Sequence, residues 1–245
     1  MRPTGFIDGG HTDDGGIRGV AVGIVTDNED PKDLGRVKLR FPWRDADDES
    51  HWARIATEMA GDEYGTYFLP EIDDEVLVAF ENGDVHRPFV IGALWNGAQS
   101  PPQTNADGEN DVREIRSRSD HAISFDDADD GSITIRTAGG NELVIDDSGS
   151  TETITISDDA ADNSITLDSE RGTIAIDAKS ELSLSASTIS LDGDSVTISG
   201  TNGVKLTRNG PIDVDSKATL SLSGSMIDVN GSGIVKIKGN LISLN

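Results

Sequence analysis

Between residues 182 and 245 the large apolar residues arrive mostly in pairs two positions apart, and successive pairs begin 7 or 8 residues apart. The pairs are Leu182/Leu184, Ile189/Leu191, Val196/Ile198, Val204/Leu206, Ile212/Val214, Leu220/Leu222, Ile227/Val229, Val235/Ile237 and Ile242/Leu244. A spacing of two puts both side chains on one face of an extended strand. The intervening Ser, Thr, Asp, Asn and Gly form turns and make poor helices. Upstream, Ile133/Ile135, Leu143/Ile145, Ile154/Ile156, Ile165/Leu167 and Ile174/Ile176 continue the series at wider steps of 8 to 11. From about residue 130 the chain therefore reads as fourteen short strands joined by tight turns, an internal repeat.

The repeat differs sharply from what precedes it. Every Trp, Tyr and Phe lies at or before Phe125, and seven of the eight Pro lie at or before Pro102. Such a break marks a domain boundary, and the Pro-, Gly- and polar-rich stretch from residue 98 to 118 reads as a linker. The first region alternates like a small antiparallel barrel, with strands expected near Val20–Val25, Arg36–Phe41, Trp52–Thr57, Glu75–Glu81 and Phe89–Leu94. Asn82-Gly83, within "ENGD", suits the positive φ of a hairpin turn. Five strands in this span suggest a Greek-key barrel of the OB type.

Two motifs in the barrel carry a family resemblance. One is Asp30-Pro31 followed by Leu34-Gly35-Arg36-Val37 and Phe41-Pro42-Trp43. The other is Pro70-Glu71, then Asp74-Glu75-Val76-Leu77-Val78, then Gly92 and Leu94-Trp95-Asn96-Gly97. In this order, ahead of a strand repeat, they resemble the OB domain of central spike proteins of contractile injection systems, phage baseplate spikes and valine–glycine repeat proteins among them. The resemblance implies an all-β molecule: an N-terminal extension (1–16), an OB barrel (17–97), the linker (98–118), a β-rich collar or start of the β-helix (119–181) and a needle (182–245). It implies that the needle is an intertwined, triple-stranded β-helix. The physics agrees, because a strand with two inward apolar residues cannot bury them alone. Turns every 7 or 8 residues leave too narrow a prism for one chain. Three chains wound together place one strand each on successive levels, so that the pairs meet on the axis and sideways edges vanish. The expected trimer core is every pair from Leu182/Leu184 through Val235/Ile237. At about 4.7 Å per strand, fourteen strands would give a needle of roughly 65 Å.

Catalytic chemistry finds little support. The four His (11, 51, 86 and 121) lie at no ligand spacing and read as surface or rim residues. The acidic run at 126–131 misses the calcium-loop pattern, because Ala128 stands where the second ligand belongs. There is no Gly-x-Ser-x-Gly elbow. No enzyme activity, cofactor or metal is expected. Family members with a metal-tipped apex carry His-x-His there, whereas "VKIKGNLISLN" contains no His. The resemblance then implies the other arrangement, a small conical cap protein of the proline–alanine–alanine–arginine repeat type, contacting Leu241, Ile242 and Leu244. Few residues precede the barrel, so a separate hub protein is expected on that side.

Charge bounds the partners. The chain carries net −25, which repels nucleic acid and anionic surfaces and fits adaptation to a salt-rich cytoplasm. Residues 199–245 are the exception at net +2, against −27 for residues 1–198. The chain has no Cys, no run of 18 apolar residues and no apolar secretion signal, so synthesis in the cytoplasm, then incorporation into a particle, is expected. The leading expectation is a homotrimeric structural spike coupling a tube and hub to an envelope-piercing needle. The alternative is an OB module for glycan or oligonucleotide on a β-helical stalk; on that question Trp43, Trp52 and Trp95 are expected to be barrel core and packing residues.

Overall fold

The computed structural model describes residues 16–45, 48–129, 131–148 and 152–243. The chain divides into two units, residues 1–182 and 183–245. The first begins with β1 (Val20–Asp27), β2 (Lys38–Arg40), β3 (Arg54–Ile55), β4 (Ala60–Gly61), β5 (Tyr64–Gly65), β6 (Glu75–Phe80) and β7 (Pro88–Leu94). Five of these form one sheet in the order β2-β1-β6-β7-β3, and the Val37–Ala53 bridge joins its two ends. β3 runs parallel to β7, and the other neighbours are antiparallel. Numbering only those five strands, the order around the closed sheet is 1-2-3-5-4-1, which is the OB topology. β4 and β5 make a small hairpin within the long β3–β6 connection.

Alternation explains why the barrel closes. Val76, Val78 and Phe80 of β6 point inward, with Val25, Val37, Leu39, Phe41, Ala53 and Val90 completing the core. Gly23 sits where β1 must pass close to this core: a Cβ there would stand 3.2 Å from Val78 Cγ2. After β6 the chain turns through residues 81–83, where Asn82 and Gly83 take positive φ of 53° and 79°. All five expected barrel strands are present, with β2 and β3 shorter than their sequence patterns suggest.

A second sheet follows. β8 (Val112–Arg116), β9 (Ala122–Asp126), β10 (Ser132–Arg136), β11 (Glu142–Asp146), β12 (Thr153–Ser157), β13 (Ser164–Asp168) and β14 (Thr173–Asp177) form a seven-stranded meander in sequence order. Its register aligns Ile115, Ile123, Ile135, Leu143, Ile156, Ile165 and Ile176 in one row across the strands. The row beside it is Arg113, Phe125, Ile133, Ile145, Ile154, Leu167 and Ile174. Both rows lie on one face, since they are two residues apart on every strand.

This sheet corrects two expectations. The span 98–118 is not all linker, because β8 already belongs to the sheet. β8 contributes one apolar residue to that face, Ile115, instead of a pair, so the pair pattern does not reveal it. Nor do the fourteen pairs form one kind of strand. Five of them, from Ile133/Ile135 to Ile174/Ile176, are antiparallel partners within the chain.

Residues 183–243 behave differently. Segments without regular secondary structure are separated by bends at 187, 193–194, 201–202, 209–210, 217–218, 225, 232–233 and 240. Among the described residues of this unit no strand pairs with another of the same chain, and every residue is exposed.

Candidate functional site

The two barrel motifs turn out to be turn clamps. Asp30, the one buried charged residue among those described, accepts 2.7 and 2.6 Å hydrogen bonds from Arg36 Nε and Nη2. It also accepts the backbone N–H groups of Lys32 and Leu34 at 3.0 and 3.1 Å. One carboxylate thus fixes the whole loop into β2, where Asp33 and Gly35 both adopt positive φ. The Arg36 guanidinium, helped by those N–H groups and opposed by burial, holds the Asp30 carboxyl well below the ordinary carboxylate range. Asn96 plays the matching part after β7. Its Oδ1 accepts the N–H groups of Ala98 and Gln99, both at 2.8 Å, while its amide donates to Glu75 Oε2 at 3.2 Å. Gln99 then donates to Asp74 Oδ1 at 3.0 Å, tying the end of β7 to the start of β6.

The tryptophans are not core residues, which corrects that expectation. Trp43 is 52% exposed and Trp95 70% exposed. Trp52 lies half-buried beneath Arg36 and Lys38, 5.8 and 5.4 Å from its ring centre. Val, Leu and Phe fill the small barrel interior, which leaves the indoles outside.

Trp52 belongs to a groove of about 760 Å³ on the side of the barrel formed by β2, β3 and the start of β7. Arg54 stacks on Phe89 at 4.5 Å, and the rings of His51 and His86 lie 5.3 Å apart. Arg87 pairs with Glu81 at 2.9 Å, and Lys38 with Glu49 at 3.2 Å. The meeting of two His was not legible in sequence, because 35 residues separate them and the barrel closure joins them. A second, more apolar groove of about 780 Å³ runs along Leu34, Met59, Tyr64, Tyr67, Phe68 and Ile91. Every one of these six is exposed. Among the described residues no group of three or more His, Asp or Glu is placed to hold a metal ion. No helix among them is long and apolar enough to cross a membrane.

The apolar faces are the largest unfilled demand in the chain. On the meander, Ile115, Ile123, Phe125, Ile133, Ile135, Ile154, Ile156, Ile174 and Ile176 are all exposed. From residue 182 onward the paired residues show a regular beat. First members, from Leu182, Ile189, Val196, Val204, Ile212, Leu220, Ile227 and Val235 to Ile242, are 51–56% exposed. Second members, from Leu184, Leu191, Ile198, Leu206, Val214, Leu222 and Val229 to Ile237, are 64–72% exposed. Eight complete pairs, and Ile242 after them, therefore repeat one pattern of exposure. Of the expected tip contacts, Leu241 and Ile242 are exposed, and Leu244 lies outside the described residues.

Comparison with known proteins falls on the barrel. Residues 21–95 match the type VI secretion system/phage-baseplate injector OB domain. Over 73 residues, 28% of this chain and 7% of the relative, the sequence is 37% identical to type VI secretion system spike protein VgrG3 of Vibrio cholerae. It is 38% identical to actin cross-linking toxin VgrG1 of Vibrio cholerae over 74 residues, 29% of this chain and 7% of the relative. It is 38% identical to type VI secretion system spike protein VgrG1a of Pseudomonas aeruginosa over 73 residues, 28% of this chain and 11% of the relative. The chain thus spans between 7% and 11% of the length of these curated relatives.

Proposed function

We propose that the chain, through its injector OB domain at residues 21–95, is a member of the spike-protein family of type VI secretion systems and phage baseplates, and that it is a homotrimeric structural spike. One observation carries the trimer: among the described residues, most apolar side chains of the meander rows and every member of the C-terminal pairs are exposed. Three copies supply the missing partners. Three meanders facing inward close a triangular collar, and the segments of 183–243 interleave as a triple-stranded β-helix around the paired residues. Each fully buried Ile or Leu side chain is worth about 1.5–3 kcal/mol relative to exposure, so association and folding of these parts are one event. At about 4.7 Å per strand, nine segments make a needle of roughly 40 Å.

The work of such a spike is mechanical. Force enters through the barrel and collar, and the stiff needle concentrates it on a small area of target envelope. No step calls for an enzyme active site or a cofactor. A hub protein would meet the N-terminal side, and a small cap protein of the proline–alanine–alanine–arginine repeat type would meet Leu241, Ile242 and Leu244. Synthesis in the cytoplasm precedes incorporation into the particle. In the test, an antibody against the barrel is applied to purified injection particles. Labelling at the baseplate end is expected, and its absence from intact particles contradicts the reading.

One observation favours a second reading, an OB module for an anionic ligand. The groove at Arg36, Lys38, His51, Trp52, Arg54 and Phe89 gathers cations and aromatic rings within an acidic chain. Stacking beside a basic track is how OB barrels hold single strands. Titration with labelled single-stranded DNA decides it: salt-sensitive binding lost in Arg54→Glu supports this reading, and no binding at low salt removes it.

A further inference from the structure

Within residues 183–225 the large apolar residues all belong to the inward pairs. Three later residues break that rule. Met226, Ile234 and Leu241 each stand immediately before the first member of a pair. Alternation turns a residue beside an inward one to the opposite face. They are 83%, 92% and 87% exposed, more than any paired residue of the repeat. The same position in the six preceding segments holds Glu181, Thr188, Ser195, Gly203, Pro211 and Thr219. The outward position is polar or small six times in succession, then Met, Ile and Leu.

We propose that the outward face of residues 226–241 is a docking surface for a separate acidic protein that grips the needle from its flank. The proposal rests on the trimeric reading. In the trimer three copies present nine such side chains over two rises of about 4.7 Å, roughly 10 Å of shaft. Soluble surfaces rarely leave so dense an apolar band bare. Charge selects the occupant. Lys236 and Lys238 share the outward face with Ile234, in a stretch that is net +2 within a chain otherwise at −27. Apolar anchors with a basic rim are complementary to a protein that offers apolar pockets among carboxylates. A bilayer fits the pattern less well. It would place the lysines to one side of the apolar rows, at headgroup level. Here they lie on the middle row, and Asp228 lies on the row of Met226. A second needle docking by the same face would bring lysine against lysine. The surface also extends past the cap contact at Leu241, Ile242 and Leu244, because it takes in Met226 and Ile234.

Intact particles and the isolated full-length protein are treated in parallel with hydroxyl radicals and with a zero-length reagent that couples Lys to carboxylates. Met226 and Leu241 are expected to oxidise several-fold more slowly in particles, with Lys236 or Lys238 joined to an Asp or Glu of a different polypeptide. Equal oxidation in both samples, or coupling only to this chain's own acids, overturns the proposal. The combined variant Met226→Ser, Ile234→Ser, Leu241→Ser should keep the wild-type sedimentation mass and lose the coupling. If instead it dissociates, these side chains face the axis and the outward assignment is wrong. Binding of the isolated protein to phosphatidylglycerol vesicles, abolished by the triple variant, would assign the surface to lipid and contradict a protein partner. A monomeric isolated protein sinks the trimeric reading and this proposal together, whereas a trimer whose lysines couple to nothing sinks this proposal alone.

Discussion

Asp30 organises a loop that otherwise has no apolar reason to fold. Removing its charge in Asp30→Asn leaves Arg36 without its counter-ion and weakens the turn into β2, so a lower melting temperature is expected. The pH dependence has a definite sign. A carboxylate whose folded pKa is depressed contributes stability that is complete above its unfolded value, here 3.8, and lost as pH falls toward the folded value. The gap in melting temperature between wild type and Asp30→Asn should therefore be full at neutral pH and shrink below pH 3.8. A gap independent of pH would contradict the ion pair. Leu39, fully buried, tests the core in a different way. Leu39→Ala should cost about 2–5 kcal/mol, read by denaturant unfolding with tryptophan fluorescence, since all three Trp lie in the barrel. The motif around Asp30 was legible only as a family signature; its pairing with Arg36 was not, because sequence spacing does not say which carboxylate a loop will bury. The outward placement of Trp43 and Trp95 was not, because composition names aromatic residues without saying which side of a barrel they take.

At the level of elements, one sequence signal covers two structures. In the meander a pair of apolar residues two apart marks a strand with one apolar face; on the trimeric reading the same pair marks a strand whose partner lies in another chain. What differs is the step. Steps of 9 to 11 leave room for a hairpin return, and those pairs form the meander. Steps of 7 or 8 allow only a bend, so the chain moves onward without pairing to itself. Local periodicity fixes the strand and its inner face; partnership across chains is a property of the assembly and leaves no local mark. Two substitutions separate inner from outer faces. Ile198→Asp would bring three carboxylates together on the axis, each costly to bury, and should abolish the trimer or the soluble protein. Ser199→Asp, one residue on and facing out, should change stability by no more than about 0.5 kcal/mol. Equal melting curves for the two variants would contradict the inward assignment. The bends are equally specific: a Cβ on Gly200 would lie 2.5 Å from the Gly203 carbonyl oxygen, so Gly200→Ala should lower the melting temperature of the needle.

For the whole molecule, charge and association act against each other. Three chains of net −25 repel one another at low ionic strength, and salt screens that repulsion. The melting temperature of the assembly should rise from low to molar KCl, and a flat or falling curve would contradict the acidic-surface account. That account rests on composition alone. The seven-stranded sheet was only partly legible, since its first strand offers a single apolar residue to the shared face. The central claim is that the exposed apolar rows are the inside of a three-chain assembly. Sedimentation analysis of the full-length protein at high salt tests it most directly. A single species of about three times the 25.9 kDa chain mass, unchanged on dilution, is the predicted result. A folded, soluble species of one chain mass would contradict it.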